Sequence, residues 1–133
     1  MCTRAISEGL LWLALAPLFL GASPTGLKGT AKVRVLGGVA GSKPVEKVGR
    51  VTFAVAPVVE EQPAYAEAVF VTAGEDGSYA ISLPPGKYWI GSPAKARDPQ
   101  HYVPRSGAIG EQVVTVSGQD WTHLDVVEIW WAP

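Results

Sequence analysis

Short stretches in which apolar and polar residues alternate, separated by turns rich in Gly and Pro, recur along most of this chain. Val33 and Val35 alternate with charged neighbours, and Val51, Phe53 and Val55 would share one face of a strand. No window after residue 22 keeps a period of 3.6 residues, so we predict no helix there. Short strands at this spacing predict an all-β fold, an antiparallel sandwich of two sheets.

The turn residues divide the chain into about seven predicted strands. An Asp76-Gly77 pair between two apolar stretches predicts a hairpin, because both residues tolerate positive φ. Pro57 is expected to end the second strand, since proline has no N–H to donate to a ladder. The predicted strands are 27–36, 50–55, 67–72, 79–83, 88–90, 111–116 and 122–131, with exposed loops at 58–66 and 92–110.

Length and composition indicate one folded domain without a nucleic-acid partner. The chain has 133 residues, of which 47% are hydrophobic and 17% charged, which is enough to bury a core. Its formal net charge is −1, without the basic patch that nucleic-acid binding needs.

The N-terminal segment is typical of a secretory signal peptide. Arg4 precedes a short apolar run ending at Leu20, and small residues follow. We therefore predict a signal peptide at 1–22 and a mature domain at 23–133, secreted or held in the periplasm or cell envelope, with no membrane span after cleavage. Glu8 offsets the basic start, so an uncleaved anchor is the alternative. The abundance of Ala, Gly, Val and Pro is typical of a GC-rich bacterial genome.

Cysteine is absent from the predicted mature domain. The only cysteine, Cys2, precedes the apolar run. The exported domain would therefore contain no disulfide, no thiolate nucleophile and no cysteine metal site.

One run of residues has the look of a known family. It comprises Thr72, Asp76-Gly77 and then Tyr79-x-Ile81-x-Leu83-Pro84-Pro85-Gly86-Lys87-Tyr88-x-Ile90. This pattern resembles the carboxypeptidase regulatory-like domain, a transthyretin-like, Greek-key β-sandwich. The resemblance implies an accessory module or a small exported protein without catalytic activity. Ala73–Glu75 lengthen the turn, and the 92–110 loop is longer and more charged than is usual in the family.

Within this pattern, Tyr88 has a physical role that the residues themselves suggest. Its ring can enter the core while its hydroxyl caps a backbone group near the Pro84–Gly86 turn.

The residues favour a protein that is not an enzyme. His101 and His123 are the only histidines, and they show no short spacing to other metal ligands. No Gly-x-Ser-x-Gly elbow is present. The chain ends at Trp130-Trp131-Ala132-Pro133, unlike the Tyr-Arg-Gly-Ser ending of the transthyretin-like hydroxyisourate hydrolases. We predict no catalytic residue, no metal and no cofactor.

Aromatic residues are the candidate binding residues. Trp89 is out of phase with Tyr88 and Ile90, so its indole is expected to point outward. Trp130 and Trp131 are adjacent and must point to opposite faces, so at least one is expected to be exposed. The predicted binding residues are Trp89, Trp130, Trp131 and Tyr102.

Two functions remain open from the sequence. The first is an exported non-catalytic module that acts through contacts with an unknown protein or envelope partner. The alternative is a carbohydrate-binding module in which exposed tryptophans stack on sugar rings.

Overall fold

The computed structural model describes residues 25–37 and 45–132, so the predicted signal peptide at 1–22 lies outside the described residues. Its strands are β1 (Gly26–Gly37), β2 (Val45–Val48), β3 (Thr52–Val59), β4 (Gln62–Pro63), β5 (Val69–Thr72), β6 (Ser78–Ser82), β7 (Gly86–Gly91), β8 (Ala108–Ile109), β9 (Gln112–Val116), β10 (Trp121–His123) and β11 (Val126–Ala132). A 3-10 turn covers Tyr65–Glu67, and helix α1 covers Pro93–Arg97. No helix among these residues is long and apolar enough to cross a membrane.

The strands form two sheets, which confirms the predicted all-β sandwich. In the first sheet, β1 is central, with β10 and β11 along one side and β6 and β2 along the other, and β8 pairs with β11. In the second sheet, β3 is central, with β7 and then β9 on one side and β5 and β4 on the other. The described ranges contain eleven strand segments rather than about seven. The additional short strands β2, β4 and β8 lie outside the predicted strands, and the predicted strand at 122–131 is divided into β10 and β11.

The pairing of β1 corrects the purely antiparallel prediction. Its Ala31–Gly37 segment runs parallel to Val126–Ala132, and its Gly26–Lys28 segment runs parallel to Trp121–His123. The first and last strands meet after the chain has passed through the whole second sheet. No tight hairpin joins them, so nothing forces the antiparallel direction.

The Asp76-Gly77 turn is present, but the hairpin predicted around it is wrong. Asp76 Oδ1 accepts hydrogen bonds from the Ser78 hydroxyl and backbone N–H, which lower the pKa of that carboxyl. Gly77 adopts the expected positive φ, 83°. However, β5 pairs with β3 and β6 pairs with β1, so the turn carries the chain between sheets. Turn residues specify a reversal of the chain and leave the pairing to tertiary contacts.

Strand β3 continues past Pro57, contrary to prediction, and part of the expected 58–66 loop is a hairpin. Pro57 lies between the stretches of β3 that pair with β5 and with β4, so its missing N–H removes no ladder bond there. Glu60 and Glu61 connect β3 to β4 with φ of 53° and 69°. These left-handed conformations suit the reversed turn of a two-residue hairpin.

The core between the sheets follows the predicted alternation. Val51, Phe53 and Val55 are fully buried, and the Phe53 ring meets the edge of the Tyr79 ring at 4.9 Å between centroids. Tyr88 is buried, and its hydroxyl donates to the Pro84 carbonyl oxygen at 2.6 Å, which confirms its expected capping contact. Burial raises the pKa of Tyr88 to about 12.

The second sheet is covered on its far face as well. Ala54 and Ala56, which alternate with the core residues, are also fully buried. Helix α1 packs over them through Ala96, and Tyr65 of the 3-10 turn packs beside it. The prediction that no helix follows residue 22 is therefore wrong. A helix of five residues is too short to display a helical period in the sequence.

Candidate functional site

Trp89 is buried, so its predicted exposure is wrong. Only 3% of the residue is accessible, and the Tyr65 ring meets its ring edge-on at 5.1 Å between centroids. The indole Nε1 donates a hydrogen bond to Glu111 Oε1 at 2.9 Å. With its ring and its polar atom both occupied, Trp89 offers no face to a ligand.

Small residues around Trp89 explain why its ring lies flat on the sheet. Ala56 is its partner on β3, and Ala54 is paired with Gly91. A first side-chain carbon at Gly91 would overlap the Trp89 ring. These small residues leave room on this face of the sheet for the indole, and α1 packs over the indole on its other side.

An ion pair joins α1 to Glu111, the residue that accepts the Trp89 hydrogen bond. Lys95 Nζ donates to Glu111 Oε1 and Oε2 at 3.0 and 2.9 Å. The hydrogen bond to Glu111 raises the pKa of Lys95. Partial burial opposes ionisation of Glu111, but hydrogen bonds from Trp89 and Lys95 and the lysine charge outweigh it and lower the pKa of that carboxyl.

Ser92 joins the two ends of the 92–110 segment. It is 5% exposed, and its hydroxyl oxygen accepts a hydrogen bond from the Ile109 backbone N–H at 2.8 Å. The Tyr102 hydroxyl lies 3.1 Å from the same oxygen. Tyr102, a predicted binding residue, is therefore half-buried and supports the segment with its hydroxyl. The predicted loop is a folded cover held at both ends.

A groove of about 460 Å³ opens in this cover. His101 Nδ1 lies 3.0 Å from Asp98 Oδ1, and both side chains are more than half exposed. Arg105 makes no ion pair with a described residue. The groove is lined by Ser92, Pro93, Ala94, Asp98, His101, Tyr102, Val103, Arg105, Ser106, Gly107 and Ala108.

Trp130 and Trp131 lie near the end of β11, in a region which we call the tryptophan end. They point to opposite faces of β11 and are 44% and 59% exposed; the prediction that at least one is exposed is confirmed, and the structure shows that both are. Trp130 lies beside the groove: its ring packs next to Gly107, one of the lining residues, where a first side-chain carbon would lie 3.1 Å from the ring. The Trp131 backbone N–H donates to Ser106 Oγ at 2.9 Å. The groove and the tryptophan end are thus continuous.

The structure brings together only some of the predicted binding residues. Tyr102 lines the groove, Trp130 packs next to Gly107 of that lining, Trp131 lies on the opposite face of β11, and Trp89 lies beneath α1. Sequence reasoning did not select three groove side chains, those of Asp98, His101 and Arg105. The unusual length and charge of 92–110 was the signal that pointed to them.

The two groove serines bond to the backbone and not to the described histidines. Ser92 and Ser106 both accept hydrogen bonds from backbone N–H groups, and neither bonds to a described histidine. A serine nucleophile needs a histidine base within hydrogen-bond reach. His123 lies 3.2 Å from Asp125, apart from the groove pair. Across 25–37 and 45–132, no three His, Cys, Asp or Glu side chains converge as metal ligands would.

No protein-family model matches the chain, and no curated protein matches it.

Proposed function

We propose that this chain is an exported, non-catalytic β-sandwich module that binds a protein or cell-envelope partner through the tryptophan end and the adjoining groove. The observation that carries the proposal is the exposure of Trp130 and Trp131, 44% and 59%, beside a groove of about 460 Å³. Exposed aromatic residues are a common feature of surfaces that bind partners.

Three further features support this proposal. The apolar N-terminal run and the absence of cysteine from residue 3 onward suit an exported domain. The Tyr88 hydroxyl contact with Pro84 and the Asp76-Gly77 turn suit a carboxypeptidase regulatory-like, transthyretin-like sandwich. The hydrogen bonds that occupy Ser92 and Ser106 favour a non-catalytic role.

A capture experiment tests the proposal. The full chain is immobilised and exposed to envelope and secreted fractions of its host, beside a Trp130→Ala/Trp131→Ala double variant. Val113→Ala is the matched control, because Val113 is an exposed apolar residue (60%) on β9 of the other sheet. We expect a captured component that is lost in the double variant and kept in the control. Equal capture by all three proteins would contradict the proposal.

For the alternative function, a carbohydrate-binding module, fewer tryptophans remain available to contact a sugar. Trp89 is unavailable for stacking, and Trp130 is the tryptophan that borders a groove with polar side chains. Any sugar site is therefore expected at Trp130 rather than on the β7 face.

A further inference from the structure

We infer that the groove binds an uncharged sugar residue, with Trp130 packed against the apolar face of the sugar ring. The inference rests on the proposed function and specifies the ligand of the same site. It is carried by the size of the groove, by the balance of its charges and by the position of the indole at its rim.

The groove has the size of a small-ligand site. Its volume, about 460 Å³, lies within the range of about 300–1,000 Å³ that is usual for such sites. It is open on one side, which suits one unit of a longer chain that continues beyond the groove.

The charges in the groove favour a ligand without net charge. Asp98 and Arg105 contribute one negative and one positive group, and His101 is held by Asp98. A carboxylate has about four acceptor positions, so Asp98 can accept from a ligand beside His101, and a guanidinium donates in a planar fork; together they match neighbouring hydroxyls that both donate and accept. The negative charge of Asp98 would repel a strongly anionic ligand, and the positive charge of Arg105 would repel a strongly cationic one.

Trp130 supplies the apolar contact that such a ligand needs. Its Nε1 donates to Glu128 Oε1 at 2.7 Å, which fixes the indole orientation while leaving 44% of the residue exposed. Gly107 has no side chain to separate the groove from the ring. A sugar ring has an apolar C–H face and a polar rim, so it can contact the indole and the groove side chains at once.

The walls of the groove are held in place before any ligand arrives. Ser92 joins Ile109 and Tyr102, and Ser106 is bonded to the Trp131 backbone. Such preorganisation lowers the entropic cost of ordering the site on binding.

The test uses the full chain and a printed panel of neutral gluco-, manno- and galacto-oligosaccharides, with galacturonic acid and glucosamine oligomers as anionic and cationic controls. Binding is measured by calorimetry and by tryptophan fluorescence. We expect a neutral oligosaccharide to bind more tightly than either charged control. Arg105→Ala and Trp130→Ala should each weaken that binding by about tenfold or more, whereas Trp131→Ala should leave it unchanged. Thermal unfolding of each variant verifies that it is folded.

Two results would overturn the inference. One is no binding to any neutral oligosaccharide, and the other is binding that Arg105→Ala and a folded Trp130→Ala leave unchanged. If no sugar binds but the tryptophan double variant still loses its captured partner, the inference fails and the proposed function stands. If capture is also insensitive to the double variant, both fail.

Discussion

Trp89 and Trp130 are residues of the same type on strands of the same sandwich, yet one is 3% exposed and the other 44%. Trp89 lies on a floor of small side chains, and α1 and Tyr65 cover it. Trp130 lies at the end of β11, where the 92–110 segment borders the ring but does not bury it. Both tryptophans occupy ordinary strand positions, so the burial of each depends on the segments that pack over it: α1 and Tyr65 cover Trp89, and no described segment covers Trp130 to the same extent.

The two sheets also differ in whether their outer face is covered. The second sheet is buried on both faces at Ala54 and Phe53, whereas the outward face of β1 carries Lys32 and Arg34 in ion pairs at the surface. The groove is lined by residues of the 92–108 segment, which begins with the helix of this cover. A cover over one sheet, rather than the sandwich alone, therefore creates the candidate site.

The largest expected effect comes from removing the covered indole. Trp89→Ala should lower the free energy of unfolding by about 3–5 kcal/mol, because it leaves a cavity beneath α1 and removes the Glu111 hydrogen bond. Denaturant unfolding followed by circular dichroism measures it. A loss below about 0.5 kcal/mol, the range of surface substitutions, would mean that the cover does not pack as described.

A smaller loss is expected at the floor beneath the indole. Gly91→Ala should cost about 1–3 kcal/mol, since the added methyl group would overlap the Trp89 ring and force it to move. The double variant Gly91→Ala/Trp89→Ala should cost less than the sum of the two single losses. Additive losses would show that the two positions do not share one packing site.

The ion pair of the cover should show a pH-dependent effect. The folded pKa of Glu111 is lowered, so its contribution is present above the unfolded pKa and is lost as pH falls through the folded pKa, below about 4.5. Lys95→Met should cost about 0.5–1 kcal/mol at pH 7, with a smaller deficit at pH 3.

The matched control is Arg50→Met, which removes the Arg50–Glu75 pair. That pair is largely exposed, 61% and 87% at the two side chains. Arg50→Met should therefore change the free energy of unfolding by less than Lys95→Met does at both pH values. A Lys95→Met deficit that does not shrink between pH 7 and pH 3 would contradict the ion pair as its cause.

The smallest effect is expected at the uncovered tryptophan. Trp131→Ala should change the free energy of unfolding by less than about 0.5 kcal/mol, since 59% of the residue is exposed. Thermal unfolding beside Trp89→Ala makes the comparison direct. A loss of similar size in both variants would mean that the tryptophan end is structural and would remove the reason to place a binding surface there.

The sequence predicts the sandwich core better than the cover. The alternation at Val51, Phe53 and Val55 and the Tyr88 contact are set by strand period and turn chemistry within a few residues. The burial of Trp89 depends on α1, which is too short to be recognised by periodicity. The small residues Ala54, Ala56 and Gly91, out of phase with the core positions, were the available signal that this face is also packed. Parallel pairing of β1 likewise leaves no local pattern.

The groove was foreseen only as a long charged loop. Its shape depends on the Ser92 hydroxyl meeting the Ile109 backbone and the Tyr102 hydroxyl, contacts between residues that are far apart along the segment. Loop composition does not specify which side chains meet.

The parallel pairing of β1 with β11 has a consequence for the order in which the protein assembles. During synthesis β1 emerges early and β11 emerges last among the described strands, so the first sheet stays incomplete until then. Ala31 and Val126, both fully buried in the finished domain, come together only when this pairing forms. Pairing between such distant segments slows folding, because the loop must close before its contacts form.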